Sequence, residues 1–231
     1  PKLPKMAFYP ELSHDGKYLF LYASQSSAPI NRLYFKKENT EHAFQTLFDK
    51  DDAEYNMIAT EGSKVWIQTT FEAPRGRLIS INLNAPQAGF TESIPQKKGV
   101  LSGIKRIGNH FVASYMQDAH HKLQIFGLDG QFENKVDLPT VGSLGRLNGR
   151  EEDDHFYFGF TSFLFPSQAY RFDFNVKKPA LIKRPGLDFD PSKYQAKQVF
   201  FRSKDGTRVP MFVVHKKGLK MNGQNPTLLY G

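Results

Sequence analysis

The sequence predicts a chain that is all-β in the main, built from the four-stranded antiparallel blades of a β-propeller. Three observations carry this. Aliphatic-aromatic segments recur about every 45 residues, and glycine-bearing turns recur with nearly the same period. No stretch sustains the apolar period of a helix. A four-stranded unit of that length is a propeller blade.

The anchoring segments are 32–35 (RLYF), 77–81 (RLISI), 122–126 (KLQIF) and 169–172 (AYRF). Within them Leu33, Leu78, Leu123 and Tyr170 are 45, 45 and 47 residues apart. A turn precedes each unit's second strand: Asp15-Gly16, Glu61-Gly62, Gly108-Asn109 and Asn148-Gly149. Their glycines, Gly16, Gly62, Gly108 and Gly149, are spaced by 46, 46 and 41. Such residues tolerate the positive φ of tight hairpins. Between turn and anchor run 17–22 (KYLFLY), 63–69 (SKVWIQT), 110–115 (HFVASY) and 154–160 (DHFYFGF), dominated by β-branched and aromatic residues. A weaker strand follows each anchor at 43–48, 90–94, 134–138 and 180–184. Four blades are therefore expected from about residue 5 to 185.

Past Pro185-Gly186 the pattern changes. Residues 188–192 are polar and turn-rich, as in a linker. Two strands, 198–202 (QVFFR) and 209–215 (VPMFVVH), flank an Asp-Gly turn at 203–207 and predict a hairpin. After a polar loop, 227–231 (TLLYG) reads as a further buried strand. The expected division is 1–186 for the blades and 187–231 for the start of a second domain.

Composition excludes several classes. The chain has 231 residues and no cysteine, so it has no disulfide scaffold, thiol nucleophile or cysteine-ligated metal. No apolar run approaches the ~18 residues of a spanning helix. The start, Pro1-Lys2-Leu3-Pro4, lacks an initiator Met and any signal-peptide pattern, so an internal start is expected. The net charge of +8 is uneven: residues 176–231 hold 12 Lys/Arg and 3 Asp, and the first 175 hold 19 basic and 20 acidic side chains. Because the basic residues alternate with apolar strand positions, they read as sheet-face lysines rather than a phosphate footprint. Neither nucleic acid nor membrane is expected as a partner.

Four stretches carry a resemblance. Pro29-Ile30-Asn31-Arg32-Leu33-Tyr34 and Phe160-Thr161-Ser162-Phe163-Leu164-Phe165-Pro166 are similar to propeller segments of the prolyl oligopeptidase family. The run 203–218, SKDGTRVPMFVVHKKG, resembles the entry into that family's catalytic domain, on its proline-specific branch. Pro226-Thr227-Leu228-Leu229-Tyr230-Gly231 resembles the strand leading to its oxyanion loop. The resemblance implies a seven-bladed propeller capping an α/β-hydrolase, with the later blades and the first hydrolase strands present here. It implies a cytoplasmic, monomeric serine endopeptidase that cuts short peptides on the C-terminal side of proline. No cofactor is implied, and the partners are peptide and the rest of the same polypeptide. The blades would gate access, and residues 6–9, 56–59 and 103–106 of the innermost strands would line the tunnel.

A Ser-His-Asp enzyme of this kind places its nucleophile on a Gly-x-Ser-x-Gly elbow. None occurs; Gly142-Ser143-Leu144-Gly145 has the wrong spacing. No residue of the chain is therefore assigned a catalytic role, and Tyr230 and Gly231 only approach the oxyanion loop. No metal site is expected either: His120 and His121 are read as exposed loop histidines, and His215 as structural. The acids Asp49, Asp51, Asp52 and Glu54, and the run Glu151-Glu152-Asp153-Asp154, are read as solvated turns. The rival reading is a non-catalytic propeller serving as a protein-interaction module. The lone tryptophan, Trp66, is followed by Ile67, which speaks against a Trp-Asp repeat type.

Overall fold

The computed structural model describes residues 6–25 and 27–230. Blade 1 comprises β1 (Ala7–Leu12), β2 (Tyr18–Ser24), β3 (Arg32–Lys37) and β4 (Gln45–Phe48). Blade 2 comprises β5 (Tyr55–Glu61), β6 (Lys64–Thr69), β7 (Arg77–Asn82) and β8 (Thr91–Ile94). Blade 3 comprises β9 (Val100–Ile107), β10 (His110–Gln117), β11 (His120–Gly127) and β12 (Phe132–Val136). Blade 4 comprises β13 (Ser143–Asn148), β14 (His155–Ser162), β15 (Phe165–Asp173) and β16 (Pro179–Lys183). Each is an antiparallel meander in chain order, so the expected repeat is present strand for strand. A separate hairpin pairs β17 (Tyr194–Arg202) with β18 (Arg208–Lys216).

Side chains alternate across a strand, and here each alternation feeds a different seam. In β6 and β7, Val65, Ile67, Ile79 and Ile81 face blade 1 and pack with Phe20, Leu33 and Phe35. Trp66 and Leu78, of opposite parity, meet Phe111, Ala113 and Phe126 of blade 3. Val112, Leu123 and Ile125 turn the other way and pack on Phe156, Phe158, Phe160 and Phe172 of blade 4. Blades 2 and 3 are thus apolar on both faces, which explains continuous runs such as VWI and FVA. In β14 the register places Phe156 opposite Phe172 and Phe158 opposite Tyr170. Both pairs stack, at centroid separations of 5.1 and 5.4 Å.

The turn glycines divide into two kinds. Gly16, Gly62 and Gly108 have the positive φ expected of them, at 70°, 58° and 54°. Gly149 does not adopt a left-handed conformation. It starts a longer connection between β13 and β14, and a Cβ there would lie 2.9 Å from the Ile107 side chain. Its glycine serves close approach of two blades, not a tight hairpin.

The expected strand at 227–231 is absent from its described part, 227–230. An extended segment must pair its amides with a neighbouring strand, and β17–β18 form a two-stranded sheet that takes no third member among the described residues. Leu228 and Leu229 are accordingly 89% and 83% exposed.

The fully buried Phe111 ring meets Trp66 edge-on at 5.3 Å in the blade 2–3 seam. Phe111→Ala is expected to lower unfolding stability by about 3–5 kcal/mol, as for other buried phenylalanines. Urea denaturation followed through Trp66 fluorescence measures it.

Candidate functional site

The first strands of the blades are the candidate functional edge. Residues 56–59 and 103–106 fall within β5 and β9, which touch each other, and 7–9 open β1, with Met6 just before it. On β9, Ile104 and Ile107 enter the apolar seams, whereas Ser102 and Lys105 are exposed. The β1 side chains are exposed throughout, Phe8, Tyr9 and Leu12 among them.

β5 and β9 are each held near the start by the preceding blade. Tyr55 N–H donates to Asn31 Oδ1 at 2.9 Å, and Asn31 Nδ2 donates to Tyr55 O at 3.0 Å. Leu101 N–H donates to Arg75 O at 2.7 Å, and Gln68 Nε2 donates to Leu101 O at 3.1 Å. Further along, Met57 N–H donates to the Tyr22 hydroxyl, which itself donates to Glu11 Oε2. Burial, with Glu11 beside it, raises the Tyr22 pKa and keeps that hydroxyl neutral.

Arg106 is the principal cation of this edge. Its side chain is only 10% exposed, and it lies over the Trp66 ring with 5.6 Å to the centroid. One guanidinium nitrogen, Nη1, donates to Thr60 O at 3.2 Å and lies 3.4 Å from Glu151 Oε2. The other, Nη2, donates to Glu61 Oε1 at 3.1 Å. One side chain of blade 3 therefore binds blade 2 and the β13–β14 connection of blade 4.

That geometry corrects the solvated-turn reading at Glu151 and Asp51, whereas Asp49, Asp52, Glu152 and Asp154 are exposed as expected. Glu151 is 20% exposed and paired with Arg106; Asp153 accepts the Arg150 N–H. In the earlier run, Asp51 takes Arg32 through both oxygens, at 3.1 and 2.6 Å. Asp52 accepts from the Tyr55 hydroxyl and Glu54 from Asn56. Consecutive acids splay apart, as expected, but Asp51 reaches Arg32 of β3 and Glu151 reaches Arg106 of β9, while Asp52, Glu54 and Asp153 hold partners within three residues.

The histidines also need one correction. His120 and His121 are not loop residues: they open β11, opposite Gln117 and Met116. His121 is half-buried, and its Nδ1 accepts the Leu144 N–H of blade 4 at 3.2 Å. Desolvation, and then the neighbouring His120, lower its pKa below the ordinary histidine value. His215 sits in β18, with Nε2 3.1 Å from Gln195 Nε2 and Nδ1 2.8 Å from Lys216 O. Among the described residues, no three His, Asp or Glu side chains gather closely enough to hold a metal.

Tyr230 is 93% exposed, and Gly231 lies outside the described residues. Gly142-Ser143-Leu144-Gly145 enters β13 rather than forming a nucleophile elbow. The hairpin rests on the β-turns of blades 3 and 4: Gln198 Nε2 donates to Asp118 O, and Phe212 meets Phe163 at 5.1 Å.

Comparison with known proteins gives this geometry its lineage. Residues 1–185 match the family model described as prolyl oligopeptidase, N-terminal beta-propeller domain. The chain belongs to the prolyl oligopeptidase family. A prolyl endopeptidase of Dictyostelium discoideum is 32% identical over 252 residues, covering 100% of this chain and 33% of the relative. One from Elizabethkingia meningoseptica is 28% identical over 229 residues, covering 99% of this chain and 32% of its own length. Among solved structures, apo prolyl oligopeptidase B from Galerina marginata superposes with a TM-score of 0.87 at 26% identity. It covers 94% of this chain and 32% of that one. A structure from a study of two prolyl endopeptidases gives 0.82 at 30% identity, with 95% and 33% covered. The chain thus spans about a third of the length of these prolyl oligopeptidase relatives.

The roles of Asn31, Arg106 and Glu151 were not legible beforehand. Their only sequence signal is placement: Asn31 and His121 each stand two residues before a repeat anchor, Leu33 and Leu123. Arg106→Lys keeps the charge but loses the planar fork that reaches Thr60, Glu61 and Glu151 together. It is expected to cost about 1.5–3 kcal/mol of stability, the scale of hydrogen bonds to charged groups. Chemical denaturation of both forms measures it.

Proposed function

We propose that this chain is the propeller segment, with the opening hairpin of the catalytic domain, of a serine endopeptidase acting after proline. The observation that carries the reading is the near-complete match of the chain to prolyl endopeptidases of two organisms. Relatives supply the substrate class: prolyl oligopeptidase B of Galerina marginata has been solved with a 35mer hydrolysis and macrocyclization substrate. The proposed substrates here are short proline-containing peptides. The blades act as a gate, and the first strands line the passage.

In this reading residues 187–231 begin an α/β-hydrolase domain, and the Ser-His-Asp triad is contributed by other parts of the polypeptide. Histidine would take the serine proton, aspartate would orient the histidine, and an oxyanion hole would hold the tetrahedral intermediate. Tyr230 and Gly231 lead toward that hole. The contact of the hairpin with the turns of blades 3 and 4 supports a gate mounted directly on the catalytic unit. A monomeric, cytoplasmic enzyme is part of the same proposal and rests on the family resemblance alone.

The test compares this 231-residue chain with the full product of its gene. The full product is expected to be about three times as long, to hydrolyse a proline-containing chromogenic dipeptide and to be labelled by a fluorophosphonate. The chain alone is expected to do neither. A gene product of about the 26.4 kDa of this chain, or fluorophosphonate labelling of this chain alone, would overturn the assignment.

A further inference from the structure

The three blade junctions share one contact. At each, the backbone N–H of a residue at or near the start of the next blade's first strand is accepted by the preceding blade. The acceptors are Asn31 Oδ1 for Tyr55, the Arg75 carbonyl for Leu101, and His121 Nδ1 for Leu144. The first and third are built alike. Asn31 N–H donates to Ala53 O at 3.0 Å, two residues before Tyr55, and His121 N–H donates to Gly142 O at 3.0 Å, two residues before Leu144. A histidine ring nitrogen stands where blade 1 uses an amide oxygen. Of the three acceptors, only the histidine can be protonated near neutrality.

We propose that the blade 3–4 junction carries a pH-sensitive tie, the Leu144 N–H bond, made when His121 is neutral and lost when it is protonated. Accepting the Leu144 N–H places the neutral ring's proton on Nε2. A proton on Nδ1 replaces the acceptor with a donor facing another donor, so the bond is lost and not merely weakened.

The surroundings favour the neutral ring. On its own strand stand His120 and Lys122; Lys122 Nζ donates to Gln117 Oε1. From the β10–β11 turn, Asp118 presents its carbonyl to His120 Nδ1, and its carboxylate accepts from Gln117 Nε2. Across the cleft that His121 lines, Lys135 and Asp137 are paired with each other at 3.1 Å. The β13 side contributes the Leu144 N–H. None of the contacts described places a carboxylate against the His121 ring.

The direction follows from the lowered pKa. The unfolded chain takes up the proton at a higher pH than the folded chain does. The junction's contribution is complete above about pH 6.5, the ordinary histidine value. It falls away as the pH drops through the folded value.

Amide hydrogen exchange on the 231-residue chain tests this, with Tyr55 and Leu101 as internal references. As the pH is lowered from about 7.5 until the imidazole nitrogen shifts report His121 protonated, protection at Leu144 is expected to fall about tenfold relative to both references. In His121→Asn, which copies the Asn31 arrangement, the relative protection should hold across the same range. Equal behaviour of all three amides in the wild type overturns the proposal, as does loss at Leu144 in a folded His121→Asn variant. Imidazole nitrogen shifts give a readout independent of the variant. At neutral pH they should show His121 protonated on Nε2, and a proton on Nδ1 overturns the proposal.

Discussion

A middle strand of an internal blade touches two neighbouring sheets at once, so both its faces must be apolar and each must fit a different partner. The period-two geometry of a strand turns this into a parity rule. Val65 and Ile67 belong to one seam, and Trp66 between them to the next. Phe111 and Val112 divide in the same way between the second and third seams. Nearly everything else in the chain is placed by these three seams. The blades stand face to face because their cores interlock, and the first strands line up because the blades do.

Polar contacts then set the fine spacing of those first strands. Arg106 is costly to bury, and it is tolerated because Thr60, Glu61, Glu151 and the Trp66 face surround it. Asn31 resembles a piece of backbone in side-chain form: it offers one donor and one acceptor to Tyr55, as a neighbouring strand would. These groups sit where adjacent sheets diverge and only isolated backbone bonds, such as Leu101 N–H to Arg75 O, cross between blades. Side chains supply the missing ladder.

Much of the fold was legible because the repeat is written in large residues. Phe20, Leu33, Trp66, Leu78, Phe111, Phe156 and Phe172 are apolar, β-prone and regularly spaced, and all are buried. The hairpin around Gly206 was legible for a similar reason: an Asp-Gly turn between two apolar runs leaves few alternatives. The polar ties were not legible. An aspartate in a turn looks the same in sequence whether it meets water or, like Asp51, a guanidinium from another strand. His121 was misplaced because its partner, Leu144, is a backbone amide and leaves no side-chain signature. The segment at 227–230 shows the converse limit: apolar composition marks a strand only where another strand is there to receive it.

The parity of the seams also constrains how such a chain can change length over generations. One residue gained within β6 or β10 would swap which side chains meet which neighbour, disturbing two seams together. Length must therefore be gained or lost where no parity is kept. The blades bear the mark of this. The spacing from turn glycine to anchor is 16 residues in blade 2 and 15 in blade 3, but 21 in blade 4, where the connection after Gly149 is long. Insertions and deletions in descendants of this sequence should collect in the connections and pass over the middle strands, whatever their surface composition.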